Sequence, residues 1–194
     1  VLQHESGTRN ALGICNLSIL KNGILMPMRG KNNVQGCNDM GVLPSRKTFL
    51  ELLYDNELRA ALIMDSNIAK SFPDLNTVHK KLKKVFLVYV GAYECLMLEY
   101  ADVVLPAVTH FEESGTMTNA ERRVRAFHQI TRPSHGKPKW VIMKELLRLF
   151  GEKTRYNSVW DVTRELLKNT PSYEKLSLRK VLSLNGGFAS KRIK

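Results

Sequence analysis

Apolar residues follow two different spacings along the first half of this chain. Between Thr8 and Leu20 they recur every three or four positions, which is the period of one face of an α-helix. Thr8 can cap the start of that helix, and Asn22-Gly23 can end it. The pattern predicts further helices over residues 47–58, 73–84 and 94–100.

Three short, mainly apolar runs alternate with these helices. Residues 60–64, 85–90 and 102–105 end at turn-forming residues, as buried strands do. The alternation predicts an α/β fold, a parallel Rossmann-like sheet flanked by helices. Ligands bind beyond the carboxyl ends of the strands in such sheets. The predicted binding edge therefore comprises residues 65–67, residues 91–92 and the chain from Pro106 onward.

The second half of the chain is patterned differently. Residues 111–119 are rich in Gly, Thr and Asn and predict a loop, as do residues 32–45. Residues 122–130 alternate weakly between apolar and polar types, which predicts a strand. Amphipathic spacing predicts helices over residues 140–150 and 159–167. We expect residues 183–194 to form a tail that packs on nothing in this chain.

Composition is that of a globular protein. The 194 residues can bury a core, and 43% hydrophobic with 25% charged residues is not a disordered composition. No apolar run is as long as a membrane span. The chain starts without Met or a signal-peptide pattern, and we expect it to be a piece of a longer protein. Widely spaced Cys15, Cys37 and Cys95 argue against a disulfide framework and predict a reducing, cytoplasmic location.

The formal net charge of +12 predicts an anionic partner. Nucleic acid, an acidic protein and a phosphorylated cofactor all fit this charge. A solvated helix face with a basic tail is the alternative explanation, and we favour it on charge alone. Nucleic acid ranks last, because aromatic residues make up only 8% and lack the interleaving of an RNA-binding sheet.

Residues 29–36 are the candidate ligand-binding run, with the sequence Arg-Gly-Lys-Asn-Asn-Val-Gln-Gly. Asn and Gln side chains offer both donors and acceptors, and the Arg29 guanidinium can bind a carboxylate or phosphate through two hydrogen bonds. Gly30 and Gly36 allow the backbone to turn and a ligand to approach closely. An ordinary surface loop is the alternative, which composition alone favours.

Four blocks of sequence, in the same order, resemble the molybdopterin oxidoreductases, most closely the catalytic (alpha) subunit of formate dehydrogenase. The blocks are residues 28–36 with Asp39-Met40-Gly41, residues 71–75, residues 101–106 and residues 115–123. The resemblance implies the dinucleotide-binding α/β fold of the formate dehydrogenase and DMSO reductase type. Residues 1–45 would end one such domain and carry the active-site loop, residues 46–182 would form a second, and residues 183–194 a basic tail.

The resemblance also implies cofactors and partners. The parent enzymes hold Mo or W between two molybdopterin guanine dinucleotides beside a 4Fe-4S cluster, and they oxidise formate to CO2. Because this chain resembles only the middle of that subunit, we expect the cluster and the metal ligands to lie outside it. The expected partners are the remainder of the catalytic subunit or a complementary chain, an electron-transfer iron–sulfur protein, and formate.

Site residues follow from the same resemblance. Arg29 lies where the family places an arginine beside the metal and the substrate carboxylate. It would orient formate through two parallel hydrogen bonds. No metal ligand is implied within the chain. The implied cofactor-binding positions are Gln3, Lys31, Asn33, Asn67, Gly91, Cys95, Glu112, Gly115, Thr118 and Asn119.

Several positions depart from the family pattern. Lys31 stands where the family has glutamine, and Asp65 replaces a glycine. Gly91 stands where the family has an aspartate that binds guanine, and Cys95 stands where it has a nearby threonine. The retained Arg29 loop favours a fragment or subunit of a formate dehydrogenase. The altered cofactor positions favour a second hypothesis, a non-catalytic scaffold or assembly subunit of a redox complex. We expect the chain alone to be inactive in either case.

Overall fold

The computed structural model describes residues 3–28 and 30–189 and contains two small sheets with helices around them. The strands are β1 (Ala60–Met64), β2 (Phe86–Gly91), β3 (Val103–Pro106), β4 (Gly115–Thr118), β5 (Arg123–Phe127) and β6 (Gly187–Phe188). The helices are α1 (Gly7–Leu20), α2 (Val34–Asp39), α3 (Phe49–Tyr54), α4 (Ile68–Ser71), α5 (Leu75–Leu82), α6 (Lys139–Leu149), α7 (Val159–Asn169) and α8 (Leu178–Leu182).

The first sheet is parallel, in the order β1-β2-β3, and confirms the predicted α/β fold. Its register places Leu62 beside Val88 and Val88 beside Val103. Helices α3 and α5 bury apolar side chains such as Leu53 and Val78 against one face of this sheet. Helix α6 covers part of the other face, as parallel sheets require.

The second sheet is antiparallel and has its own core. Strand β5 pairs with both β4 and β6. Val124 of β5 packs with Leu167 of α7, Val181 of α8 and Tyr173, which lies in a 3₁₀ turn between those helices. These residues place α7 and α8 beside the sheet.

Four expectations from the sequence were wrong. Thr8 does not cap α1 but lies inside it, and Ser6 occupies the N-cap position. The predicted loop over residues 32–45 contains α2, and the predicted loop over residues 111–119 contains β4. The start of the predicted tail packs on the rest of the chain: Gly187 pairs with Val124, and Ala189 is buried in the second core. Residues 190–194 lie outside the described residues.

Helix α1 confirms the predicted helix but contributes little to either core. Its only buried residue within the described chain is Gly7. Leu17, Ile19 and Leu20 are each more than half exposed. A helix with apolar residues on several sides is normally buried, so α1 presents an unpartnered apolar surface.

Candidate functional site

Helix α2, from the polar run singled out in the sequence, lies against β4. Asn33 precedes α2 with a left-handed φ of 56°, a conformation that asparagine tolerates better than most residues. Its side chain does not cap the helix. Instead, Asn33 Oδ1 accepts a hydrogen bond of 3.0 Å from the backbone N–H of Thr118. The structure thus joins two of the predicted site residues, 85 positions apart.

Gly36 allows that contact to form. It is buried in α2, and a Cβ at this position would overlap Asn33 Oδ1 and lie 3.2 Å from Thr118 Oγ1. The Asn33 side chain therefore lies over the first turn of α2, against Gly36, where any larger residue would overlap it. From the sequence, Gly36 is expected to let the backbone turn and a ligand approach, whereas in the structure it leaves room for the Asn33 side chain.

The carboxylate of Asp39, at the end of α2, accepts three hydrogen bonds. Gln35 Nε2 donates at 3.0 Å and Arg122 Nη2 at 2.9 Å, both to Oδ1. Tyr173 donates its hydroxyl to Oδ2 at 3.1 Å. The Asp39 side chain is only 8% exposed and that of Arg122 is 28% exposed, so the ion pair is partly shielded from water.

Tyr173 connects this carboxylate to β4. Its hydroxyl lies 2.7 Å from Thr118 Oγ1, and the residue is 1% exposed. Burial raises the pKa of Tyr173 to about 12, so its hydroxyl stays protonated and available as a donor. We call the connected set the Asp39 network: Asn33, Gln35, Asp39, Thr118, Arg122 and Tyr173.

The residues just before Asn33 face solvent. Gly30, Lys31 and Asn32 are exposed, and with Asn33 they form what we call the amide loop, residues 30–33. Arg29, the predicted catalytic residue, lies outside the described residues. The amide loop can offer a cation and an amide to a polar ligand while the Asp39 network holds the chain that follows.

A second polar cluster lies at the carboxyl edge of the first sheet. Asp65 follows β1 and accepts the Ala92 backbone N–H at 3.3 Å. Lys139 Nζ lies 3.1 Å from Asp65 Oδ2 and 2.9 Å from Glu113 Oε1. Burial is the largest single influence and acts to lower the pKa of Lys139, but the hydrogen bonds and negative charges of Glu113 and Asp65 together outweigh it, so the pKa is raised. Lys139 therefore stays charged and partly neutralises the two carboxylates.

Asn67 lies near this edge and has an unused polar atom. Its Oδ1 is buried and has no hydrogen-bond partner within the described chain. Buried polar atoms are normally paired, so an unpaired one marks a place where a ligand can bind. Among the predicted cofactor residues, Asn67 is therefore the one with a buried acceptor atom that a ligand could use.

Gly91 and Cys95 are brought together through Tyr89. The Cys95 thiol donates to the Tyr89 hydroxyl at 3.2 Å. A Cβ at Gly91 would overlap the Tyr89 ring, so the ring covers this residue. Burial and the hydrogen bond from Cys95 raise the pKa of Tyr89, which keeps its hydroxyl neutral.

Glu112 is buried and bound by its own chain. Its carboxylate accepts bonds from the backbone N–H and hydroxyl of Thr109, and from the same groups of Ser134. Hydrogen bonds from the backbone N–H groups of Thr109 and then Ser134 lower its pKa to about 2. These four bonds anchor the turn before β4.

The remaining predicted positions are spread more widely. Gly115 is buried at the start of β4, where a Cβ would lie 2.8 Å from the Phe127 ring. Asn119 is exposed, and its Oδ1 accepts the backbone N–H of Arg123 at 2.9 Å. Gln3 is exposed, and no contact of its side chain is found within the described residues.

Sequence reasoning missed three residues that matter in these clusters. Asp39 and Arg122 lie inside the motif blocks, and their opposite charges are the signal in the sequence that could have paired them. Tyr173 lies beyond every block, and its role depends on a contact with Thr118 that no local pattern encodes.

Within residues 3–28 and 30–189, no group of three or more His, Cys, Asp and Glu side chains could hold a metal ion. None of the helices in the same residues is long and apolar enough to cross a membrane.

Comparison with known proteins gives consistent results. A family model described as molybdopterin oxidoreductase matches residues 1–149. The chain is 31% identical to the "F420-dependent formate dehydrogenase subunit alpha" of Methanocaldococcus jannaschii, over 93% of this chain and 33% of that protein. It is 26% identical to "Probable oxidoreductase YjgC" of Bacillus subtilis, over 95% of this chain and 23% of that protein. The chain thus spans a third or less of these relatives.

Proposed function

Because this chain belongs to the molybdopterin oxidoreductase family, we propose that it forms part of the active site of a molybdenum- or tungsten-dependent formate dehydrogenase. The proposed reaction is the oxidation of formate to CO2. The chain would supply the substrate-facing Arg29 loop and part of the site for a molybdopterin guanine dinucleotide. The name of the Methanocaldococcus relative supports formate as the substrate.

The hydrogen bond between Asn33 and Thr118 is the observation that carries the proposal. It brings the amide loop beside the Gly-Thr-Asn block of β4, although the two are far apart in sequence. Both segments lie within the region that the family model matches. Two motif segments that meet through a partly buried hydrogen bond are better explained by a shared site than by a surface loop.

The polar groups of the chain fit part of such a cofactor. Asn67 offers a buried, unpaired amide oxygen, which suits the N–H groups of a pterin or guanine ring. Lys31 is exposed and can pair with a phosphate. Asp65 would repel a phosphate at the end of β1 but can accept bonds from sugar hydroxyls. The sheet edge therefore fits the hydroxyl- and amide-bearing parts of the cofactor better than its pyrophosphate.

The chemistry divides between the cofactor and this chain. When bound, the cofactor supplies a metal centre that accepts the two electrons released by formate oxidation. Arg29 would bind the formate carboxylate with two hydrogen bonds and so hold its C–H in one direction. The Asp39 network would keep the amide loop in place while formate binds.

We further propose that the chain works with the remainder of a catalytic subunit or a complementary chain. The relatives are at least three times longer than the region they share with this chain. The exposed apolar side chains of α1 are a surface on which such a polypeptide can pack. That partner would supply the metal ligands and the 4Fe-4S cluster, and an electron-transfer iron–sulfur protein would take the electrons.

A non-catalytic scaffold is the second candidate function. The cluster of Asp65, Lys139 and Glu113 favours it, because these side chains satisfy one another at the edge where the cofactor is expected. Gly91 and Cys95, which replace cofactor contacts of the family, are similarly occupied with Tyr89. A scaffold would keep the fold and the partner surface without binding metal.

Substitution of Arg29 tests the catalytic proposal. In the native complex, Arg29→Ala should lower formate turnover by about 100-fold or more, because the substrate loses its charge-assisted hydrogen bonds. Molybdenum or tungsten content should stay unchanged. Arg59→Ala, at an exposed position before β1, is the matched control and should keep full turnover. Full turnover in Arg29→Ala would contradict the proposed role of Arg29.

A further inference from the structure

We infer that Tyr173 is a positioning residue for the amide loop, holding α2 against β4 through its hydroxyl. Tyr173 lies outside the region matched by the family model and outside every motif block of the sequence. The inference deepens the proposed function, and only its catalytic readout rests on that function.

One hydroxyl bridges two segments that are distant in sequence. Tyr173 donates to Asp39, which also forms an ion pair with Arg122. Since the Tyr173 proton is directed to Asp39, the Thr118 hydroxyl is left to donate to the Tyr173 oxygen. The Thr118 backbone N–H then donates to Asn33. These hydrogen bonds connect Asp39 of α2 to Tyr173, Tyr173 to Thr118 of β4, and Thr118 back to Asn33 at the start of α2.

Helix α2 needs such bonds, because it has few other means of staying in place. It contains six residues, and isolated helices of that length are unstable in water. No side chain caps its first turn, and none of its apolar side chains is fully buried, since the residue of α2 that counts as buried overall is Gly36. The position of α2, and of the amide loop joined to it, therefore depends on polar contacts with Thr118 and Tyr173.

Tyr173 itself does not reach a ligand. It is 1% exposed, and its hydroxyl is occupied by Asp39 and Thr118. Any effect of Tyr173 on the site must therefore act through the residues that it bonds, Asp39 of α2 and Thr118 of β4. This distinguishes it from Gly30, Lys31 and Asn32 of the amide loop, which are exposed.

Amide hydrogen exchange in the purified full chain tests the inference without any activity. Tyr173→Phe keeps the ring in the second core and removes only the hydroxyl. The amides of Cys37, Met40 and Val42, which are bonded within and just after α2, should exchange about 10-fold faster. The amide of Leu87 in the first sheet should keep its wild-type rate.

Tyr100→Phe is the matched control. Tyr100 is half-buried against the first core, where its ring contacts His79, and it lies away from the Asp39 network. Its substitution should leave exchange in α2 unchanged. Unchanged α2 amides in Tyr173→Phe would overturn the inference. Equal acceleration in α2 and the first sheet would also overturn it, because that result indicates general destabilisation.

A double-mutant cycle tests whether Asp39 and Tyr173 act on α2 through their shared hydrogen bond or independently of each other. Asp39→Ala and Tyr173→Phe remove the two ends of one hydrogen bond, whereas asparagine would keep an acceptor oxygen. Exchange of the α2 amides in the double variant should therefore be accelerated less than the product of the two single effects. Strictly multiplicative acceleration would contradict a shared bridge.

The native complex gives the catalytic readout. Tyr173→Phe should raise KM for formate about 10-fold, with a smaller change in kcat and no change in metal content, because a displaced loop binds the carboxylate less well. An unchanged KM with faster α2 exchange would overturn the link to the site. If the wild-type complex does not oxidise formate, the proposed function fails while the exchange experiment still decides the role of Tyr173.

Discussion

At the residue scale, single side chains in this protein join segments that lie far apart in sequence. Asn33, Asp39 and Tyr173 each contact a different element from their own. Their amino-acid types could be seen in the sequence, but their partners could not, because hydrogen bonds across 55 to 134 positions leave no local pattern. The sequence predicted a polar loop that binds a ligand, and the structure adds a buried network behind it.

Gly36→Ala should destabilise the protein. The new Cβ would overlap Asn33 Oδ1 and displace it from Thr118, at a cost of about 1–3 kcal/mol in the free energy of unfolding measured with urea. Gly13→Ala is the control, since a Cβ at Gly13 in α1 meets no atom within 4 Å. It should leave stability unchanged or raise it by up to about 1 kcal/mol. Equal effects of the two substitutions would contradict the steric role of Gly36.

Glu112 should make stability depend on pH in the acid range. Its pKa is lowered from 4.5 to about 2 in the folded chain, so the folded state favours the ionised form. The stabilisation is fully present above pH about 4.5 and is lost as pH falls toward about 2. Urea unfolding of wild type and Glu112→Gln should show a stability difference that shrinks over this range. A constant difference would contradict the assignment.

At the scale of elements, the strength of the local pattern decided which predictions held. Strands β1 to β3 were predicted because each is a short apolar run that ends at a turn residue. Helix α2 was missed because Asn, Gly and Asp have low helix propensity, and contacts with β4 hold it instead. Strand β6 has only two residues, too few to produce any alternation.

The pairing of β6 can be tested with two aspartates. Ala189→Asp would bury a charge in the second core, where Ala189 is 6% exposed, and should lower the free energy of unfolding by about 3 kcal/mol. Leu184→Asp, at a position that is 86% exposed, should change it by less than about 0.5 kcal/mol. Equally small effects from both would indicate a tail that does not pack.

At the scale of the whole molecule, the chain combines packed cores with an exposed apolar surface on α1. Helix α1 exposes most of its apolar side chains, and the chain spans a third or less of the compared relatives. The family and the fold class could be predicted from the sequence because four motif blocks occur in one order. Metal binding could not be predicted in the same way. The described residues contain no group of side chains that could hold a metal ion. The sheet edge carries both Asn67, whose amide oxygen is unpaired, and Asp65, which is paired with Lys139.

Metal and pterin content of the native complex tests the central claim most directly. The complex should be purified through this chain with its partners attached, and its metals measured by mass spectrometry. The account predicts one Mo or W atom for each chain, together with a pterin released on denaturation and turnover of formate. An intact complex without Mo, W or pterin would contradict the catalytic proposal and leave the scaffold as the function of this chain.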